Sequence, residues 1–109
     1  MPTNNIITVQ TEDSGKEVSL KKGDTIQIEL KTFGTAGYTW QFDYLDEVYL
    51  ETVSRETKPV SDRMGAPTLC IWLLKARKSG STKITMSNYR VWEGREKAVA
   101  EFSLTVKIE

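Results

Sequence analysis

Apolar and polar residues alternate with a period of two over much of this 109-residue chain, the pattern of strands that bury one face and wet the other. Between Thr25 and Lys31, Ile26, Ile28 and Leu30 fall on one side and Thr25, Gln27, Glu29 and Lys31 on the other. Tyr38, Trp40, Phe42 and Tyr44 alternate with Thr39, Gln41 and Asp43, and Phe102, Leu104, Val106 and Ile108 with Glu101, Ser103, Thr105 and Lys107. From Cys70 the same period sets Cys70, Trp72, Leu74 and Ala76 against Ile71, Leu73, Lys75 and Arg77. Ile71 and Leu73 make that second face apolar as well, which implies cover on both sides or an interface. Ile84 and Met86 mark a further strand, and Ile6–Val9 and Lys16–Leu20 read as two short ones.

The intervening segments carry turn chemistry. Thr11-Glu12-Asp13-Ser14-Gly15 and Lys21-Lys22-Gly23-Asp24 read as turns, and Lys78-Ser79-Gly80-Ser81 as a hairpin. Leu45–Val53 is apolar without clean alternation and fits a bent strand or a helical turn leading into one. Ser54–Arg63 is polar and contains Pro59, so it is expected as an exposed, mobile crossing. Short strands spaced by turns, with no helical period and no repeat, specify an all-β immunoglobulin-like sandwich of about seven to eight strands. Residues 1–109 are expected to form a single domain. Cys70 is the one cysteine, so no internal disulfide closes the fold, and its expected role is that of a small buried hydrophobe.

Composition removes several function classes. Fifteen basic and fifteen acidic residues cancel, which leaves no global field for nucleic acid or an anionic membrane. The chain has no histidine, so Ser-His and Cys-His catalysis and imidazole metal sites are excluded, and no metal or cofactor is expected. Carboxylates at Glu12/Asp13 and at Asp43, Asp46 and Glu47 read as solvated surface, because nothing nearby in sequence would desolvate them. An enzyme is therefore disfavoured. No stretch reads as a secretion signal or membrane span, so a cytoplasmic location is expected unless a secreted precursor was trimmed.

Three loops stand out: 33–39, 57–68 and 89–96. By strand order they join the second strand to the third, the fourth to the fifth and the sixth to the seventh, and in a sandwich such loops share one end. The first is Phe33-Gly34-Thr35-Ala36-Gly37-Tyr38-Thr39-Trp40, the second contains Met64-Gly65-Ala66-Pro67, and the third contains Arg90-Val91-Trp92 followed by Gly94. Alternation puts Trp40 in the core and leaves Trp92 exposed.

This trio resembles the chagasin family, protein inhibitors of papain-like cysteine proteases, whose loops read Asn-Pro-Thr-Thr-Gly-(Tyr/Phe)-x-Trp, a Gly-rich turn after an apolar residue, and Arg-Pro-(Trp/Phe). The resemblance spans nearly the whole chain. It implies a reversible, tight-binding inhibitor, expected as a monomer, that fills the cleft of a papain or cathepsin L type protease without offering a bond to cleave. Thr35, Ala36 and Gly37 would enter the centre, with Tyr38 at the root of that loop. Met64, Gly65 and Ala66 would line the non-primed side, Trp92 would stack on the primed side, and Arg90 would brace its loop or meet an acidic rim. Phe33-Gly34 stands in place of Asn-Pro, Ala36 in place of Thr, Pro67 in place of Gly, and Val91 in place of Pro. Loss of two prolines predicts loops with less built-in order. The alternative is an Ig-like adhesion or glycan-binding module that uses the same loop end without inhibiting a protease.

Overall fold

A computed structural model describes residues 5–33, 36–61, 63 and 66–109. Among the described residues eight strands form: β1 (Ile6–Gln10), β2 (Glu17–Leu20), β3 (Thr25–Thr32), β4 (Tyr38–Tyr44), β5 (Leu50–Pro59), β6 (Thr68–Ala76), β7 (Gly80–Arg90) and β8 (Ala100–Ile108). One sheet has the order β1-β3-β6-β5 and the other β2-β8-β7-β4. β1 lies parallel to β3, and β2 parallel to β8. The remaining pairs are antiparallel.

The alternating sets close on one another as their period requires. Ile26, Ile28 and Leu30 of β3 and Trp72 and Leu74 of β6 are buried with Ile84 and Met86 of β7 and Phe102, Leu104 and Val106 of β8. Full burial of one such side chain contributes about 1.5–3 kcal/mol as an upper value. Trp40 is buried as its alternation implies, and its indole N–H donates across the sandwich to the Lys31 carbonyl at 3.0 Å. Cys70 is buried, and that burial pushes its thiol pKa up, so it packs as a small hydrophobe. Ile71 is also buried, flanked in register by Glu29 of β3 and Glu56 of β5. Neighbours within its own sheet flank it, an arrangement in which long side-chain stems cover apolar surface.

Three expectations change. Lys78–Ser81 does not turn a hairpin: β6 and β7 lie in different sheets, so the chain crosses the sandwich there. Residues 54–59 do not form a mobile crossing but the second half of edge strand β5, paired to β6 from Ser54–Leu73 to Pro59–Thr68. Their polarity reflects an edge exposed on both faces, which gives no alternation to read. Tyr44 does not join the inward row of β4. The register shifts between Phe42 and Tyr44, and the bulge at Asp43 pairs Tyr44 with outward Thr85, leaving it exposed.

Candidate functional site

Extra pairing narrows the three loops to residues 33–37, 60–67 and 91–99, since Tyr38 and Thr39 belong to β4, Thr57–Pro59 to β5, Thr68 to β6, and Tyr89 and Arg90 to β7. Glu17–Leu20 counts as a strand, so they join β3 to β4, β5 to β6 and β7 to β8. All three open from the same end. Thr32 pairs with Thr68, which pairs with Pro59 in one sheet, while Tyr38 pairs with Arg90 in the other. The sheets are stitched at this end by the Thr32 hydroxyl, which donates to the Tyr38 carbonyl at 2.9 Å and lies 3.2 Å from the Asn88 carboxamide. Thr35, Met64 and Gly65 lie outside the described residues.

The first loop is drawn back by its own backbone. The Phe33 carbonyl accepts from the Ala36 N–H at 3.0 Å and from the Tyr38 N–H at 3.4 Å. Gly37 adopts φ +89°, a conformation that a side chain disfavours. Its missing side chain has a second use: a Cβ built there would lie 2.2 Å from Cη2 of Trp92. The indole of the third loop therefore rests on the bare backbone of the first, while 73% of Trp92 stays exposed.

Arg90 braces the same junction. Its Nε donates to the Ala36 carbonyl at 2.8 Å, its guanidinium lies 4.6 Å from the centre of the Tyr38 ring, and Nη1 sits 3.7 Å from Glu93. A carbonyl, an aromatic face and a carboxylate thus hold one guanidinium, a combination for which Arg is better shaped than Lys. Both readings of Arg90 had weight in the sequence, and the geometry engages it inside the molecule.

Beyond Trp92 the third loop runs through short 3-10 turns at Val91–Glu93 and Arg95–Lys97, separated by Gly94. Arg95 fastens it to β4: Nε donates to Asp43 at 2.8 Å, and Nη2 lies 3.6 Å from Glu101. Asp43 also accepts from the Ser87 hydroxyl. Partial burial works to raise the Asp43 pKa, but the hydrogen bonds from Arg95 and Ser87 and the charge of Arg95 outweigh it and hold the carboxyl below its ordinary value. Asp43 thus keeps the exposed edge position expected of it, and its carboxylate also ties the third loop to β4. Fifty-two positions separate it from Arg95, and no local pattern signals the pair. In the second loop the Val60 N–H donates to Pro67 at 3.1 Å and the Ala66 N–H to Arg63 at 3.2 Å, and Ala66 is half-buried.

Three loops from a disulfide-free sandwich, with Trp92 seated on Gly37, match the expected motif order, and comparison with known proteins decides the matter. A family model described as Chagasin family peptidase inhibitor I42 matches residues 19–106. The chain belongs to the chagasin family. Membership in this inhibitor family makes it an inhibitor rather than an enzyme, and the adhesion alternative is not favoured. Among the proteins it is similar to, Amoebiasin-2 of Entamoeba histolytica is 27% identical over 106 residues, covering 94% of this chain and 84% of that protein. The crystal structure of EhICP2, a cysteine protease inhibitor from Entamoeba histolytica, superposes with a TM-score of 0.87 at 22% identity over the whole of both chains. PbICP-C, solved in complex with falcipain-2, gives a TM-score of 0.67 at 17% identity, covering 97% of this chain and 91% of that one. At these identities the solved structures establish a shared fold.

Proposed function

We propose that this chagasin-family chain is a reversible, tight-binding inhibitor of papain-like cysteine peptidases that fills the catalytic groove with its three loops. The observation that carries the reading is the junction of Gly37, Trp92 and Arg90, which makes one rigid tip from two loops far apart in sequence. A papain-type cleft holds a thiolate–imidazolium pair at its floor. A tip made of Thr35, Ala36 and Gly37 is small enough for main chain to sit beside that thiolate. Trp92 stacks on the primed side, while Met64, Gly65 and Ala66 run along the non-primed side and offer backbone groups for strand-like pairing. Tyr38 and Arg90 work from behind, holding the tip in shape.

The tip also explains why such an inhibitor resists its target. A thiolate attacks a carbonyl carbon presented in an extended segment with a free oxygen. Here the Ala36 N–H is committed to Phe33 and the Ala36 carbonyl to Arg90. Presenting Ala36–Gly37 as a substrate means breaking both bonds. The same bonds supply order that the missing prolines do not, which lowers the cost of fixing the loop on binding. An interface of this class buries about 800 Å² per partner. Hydrolysis of a fluorogenic dipeptide by papain, titrated with the protein, tests the reading. Stoichiometric or nanomolar loss of turnover with the inhibitor recovered uncut is expected, and undiminished turnover at micromolar inhibitor overturns it.

A further inference from the structure

Large apolar side chains are exposed around the tip, and two of them, Phe33 and Val60, have no role in the reading above. Phe33 is 56% exposed and Val60 47% exposed. Their backbones are nevertheless fixed. Phe33 O holds the two amides of the first turn, and the Val60 N–H is bonded to Pro67. Carried one step past the last paired residues, Thr32, Thr68 and Pro59, the register aligns Phe33, Pro67 and Val60 in one row across β3, β6 and β5. Alternation turns Phe33 and Val60 to the face opposite buried Thr32. The row is an apolar ledge on the rim of the first sheet, as Trp92 with Val91 is on the rim of the second.

We propose that this ledge is a specificity-determining contact: Phe33, backed by Pro67 and Val60, docks against the apolar wall of the peptidase's non-primed pocket, so the inhibitor favours papain-type enzymes that select bulky apolar side chains. The inference rests on the cleft-filling reading above. The ledge is continuous with the tip through the two amides bonded to Phe33. Its row runs off the first sheet, whereas Trp92 stands on the loop between two strands of the second, so with Trp92 on the primed side the ledge falls toward the half of the groove where the substrate's selected side chain binds. An exposed aromatic on a backbone already held by hydrogen bonds loses little freedom on docking, which is the character of an interface anchor. No charged residue stands in the row.

Two papain-type enzymes test it, one that cleaves a Phe-Arg dipeptide substrate but not Arg-Arg, and one whose pocket carboxylate lets it cleave Arg-Arg. Inhibition constants are measured for the unaltered protein and for Phe33→Ala, Phe33→Leu, Val60→Ser and Trp92→Ala, with thermal melts confirming the fold. Phe33→Ala is expected to weaken inhibition of the first enzyme about tenfold or more and of the second less than about threefold. Phe33→Leu should recover most of the loss, and Val60→Ser should show a smaller loss with the same preference. Equal losses on both enzymes overturn the specificity role. Unchanged constants for Phe33→Ala while Trp92→Ala loses inhibition overturn the ledge and leave the cleft reading standing. If the unaltered protein inhibits neither enzyme, the cleft reading itself has failed.

Discussion

The two poles of the sandwich differ in what their polar bonds hold. At the pole away from the loops, turns are locked by buried polar bonds. Asp24 is buried and its carboxylate accepts from the Asn5 and Lys21 N–H groups at 3.0 and 2.9 Å. Around it, the Ala76 N–H donates to Asp24 O at 2.8 Å, the Gly23 N–H to Ala76 O at 2.9 Å, and the Arg77 N–H to Tyr49 O at 2.8 Å. At the loop pole five large hydrophobic residues, Phe33, Val60, Val91, Trp92 and Val99, are left exposed, against Ile6 and Val48 at the other. Their backbones are held, but their side chains lack cover. One pole spends its polar bonds on keeping the sheets registered, and the other uses them to hold apolar groups out in water, where they serve only a partner.

Gly37→Ala should break this division most sharply. The new methyl needs φ +89° and lands on the Trp92 ring. Because Trp92 is largely exposed, the ring can swing off, so the fold survives while the junction does not. The free loop can relax away from that φ, so about 1–2 kcal/mol of backbone strain must be restored on binding, and with the Trp92 position also lost inhibition of papain should weaken by about 3–4 kcal/mol. An inhibition constant within threefold of the unaltered protein's would show that the junction does not set the binding surface. Trp92→Ala removes the anchor without the strain and should cost less, about 2 kcal/mol of binding. Its melting temperature should stay where it was, since the side chain buries little against its own fold. A variant that unfolds would instead make Trp92 part of the core.

Much of the architecture could be read from alternation, because a period of two reports directly on which face is buried. β3, β6 and β8 follow it closely, and Trp40 and Trp92 fell to the core and the surface as their patterns require. Reading failed where the determinant was not local. Lys78–Ser81 has the residues of a tight turn, yet those residues only reverse the chain and do not say whether it returns to its own sheet or crosses to the other. β5 hid behind polar residues on both faces, and the bulge at Asp43 flips Tyr44 without any glycine to mark it. The loop motifs were legible by order and spacing. The bonds that brace them were not, since Arg90 to Ala36 and Arg95 to Asp43 span 54 and 52 positions.

Asp24→Asn should act on stability and spare inhibition, the converse of the loop variants. The hydrogen bonds from Asn5 and then Lys21 hold the Asp24 carboxyl below its ordinary pKa. A depressed folded-state pKa contributes stability that is complete above the ordinary carboxylate value and is lost as pH falls through the folded one. Thermal melts should therefore show the variant less stable at neutral pH, with the gap to the unaltered protein closing as acidification takes the pH below the ordinary Asp value of about 3.9 and through the lower folded one. At a temperature where both are folded, their inhibition constants should agree. A gap that stays constant into acid would mean that Asp24 acts by shape and not by charge.

The smallest expected effect is a null, and it separates the inhibitor's chemistry from the enzyme's. With no histidine in the chain, no side chain here has an ordinary pKa between about 5 and 8. Asp43, whose pKa is depressed by its partners, remains ionised through that range and keeps Arg95 in place. The shape and charge of the loop pole should therefore be constant across it. Trp40 and Trp72 are buried while Trp92 is exposed, so a fluorescence change on titrating the free protein that disappears in Trp92→Ala would report on the loop pole alone. No such change is expected. If inhibition nevertheless varies with pH, the variation must follow the thiolate–imidazolium pair of the peptidase, and Trp92→Ala should weaken binding by the same factor at every pH. A factor that changes with pH would reveal a titrating group on the inhibitor's binding surface and break the picture of a loop pole built from apolar anchors and fully committed polar bonds.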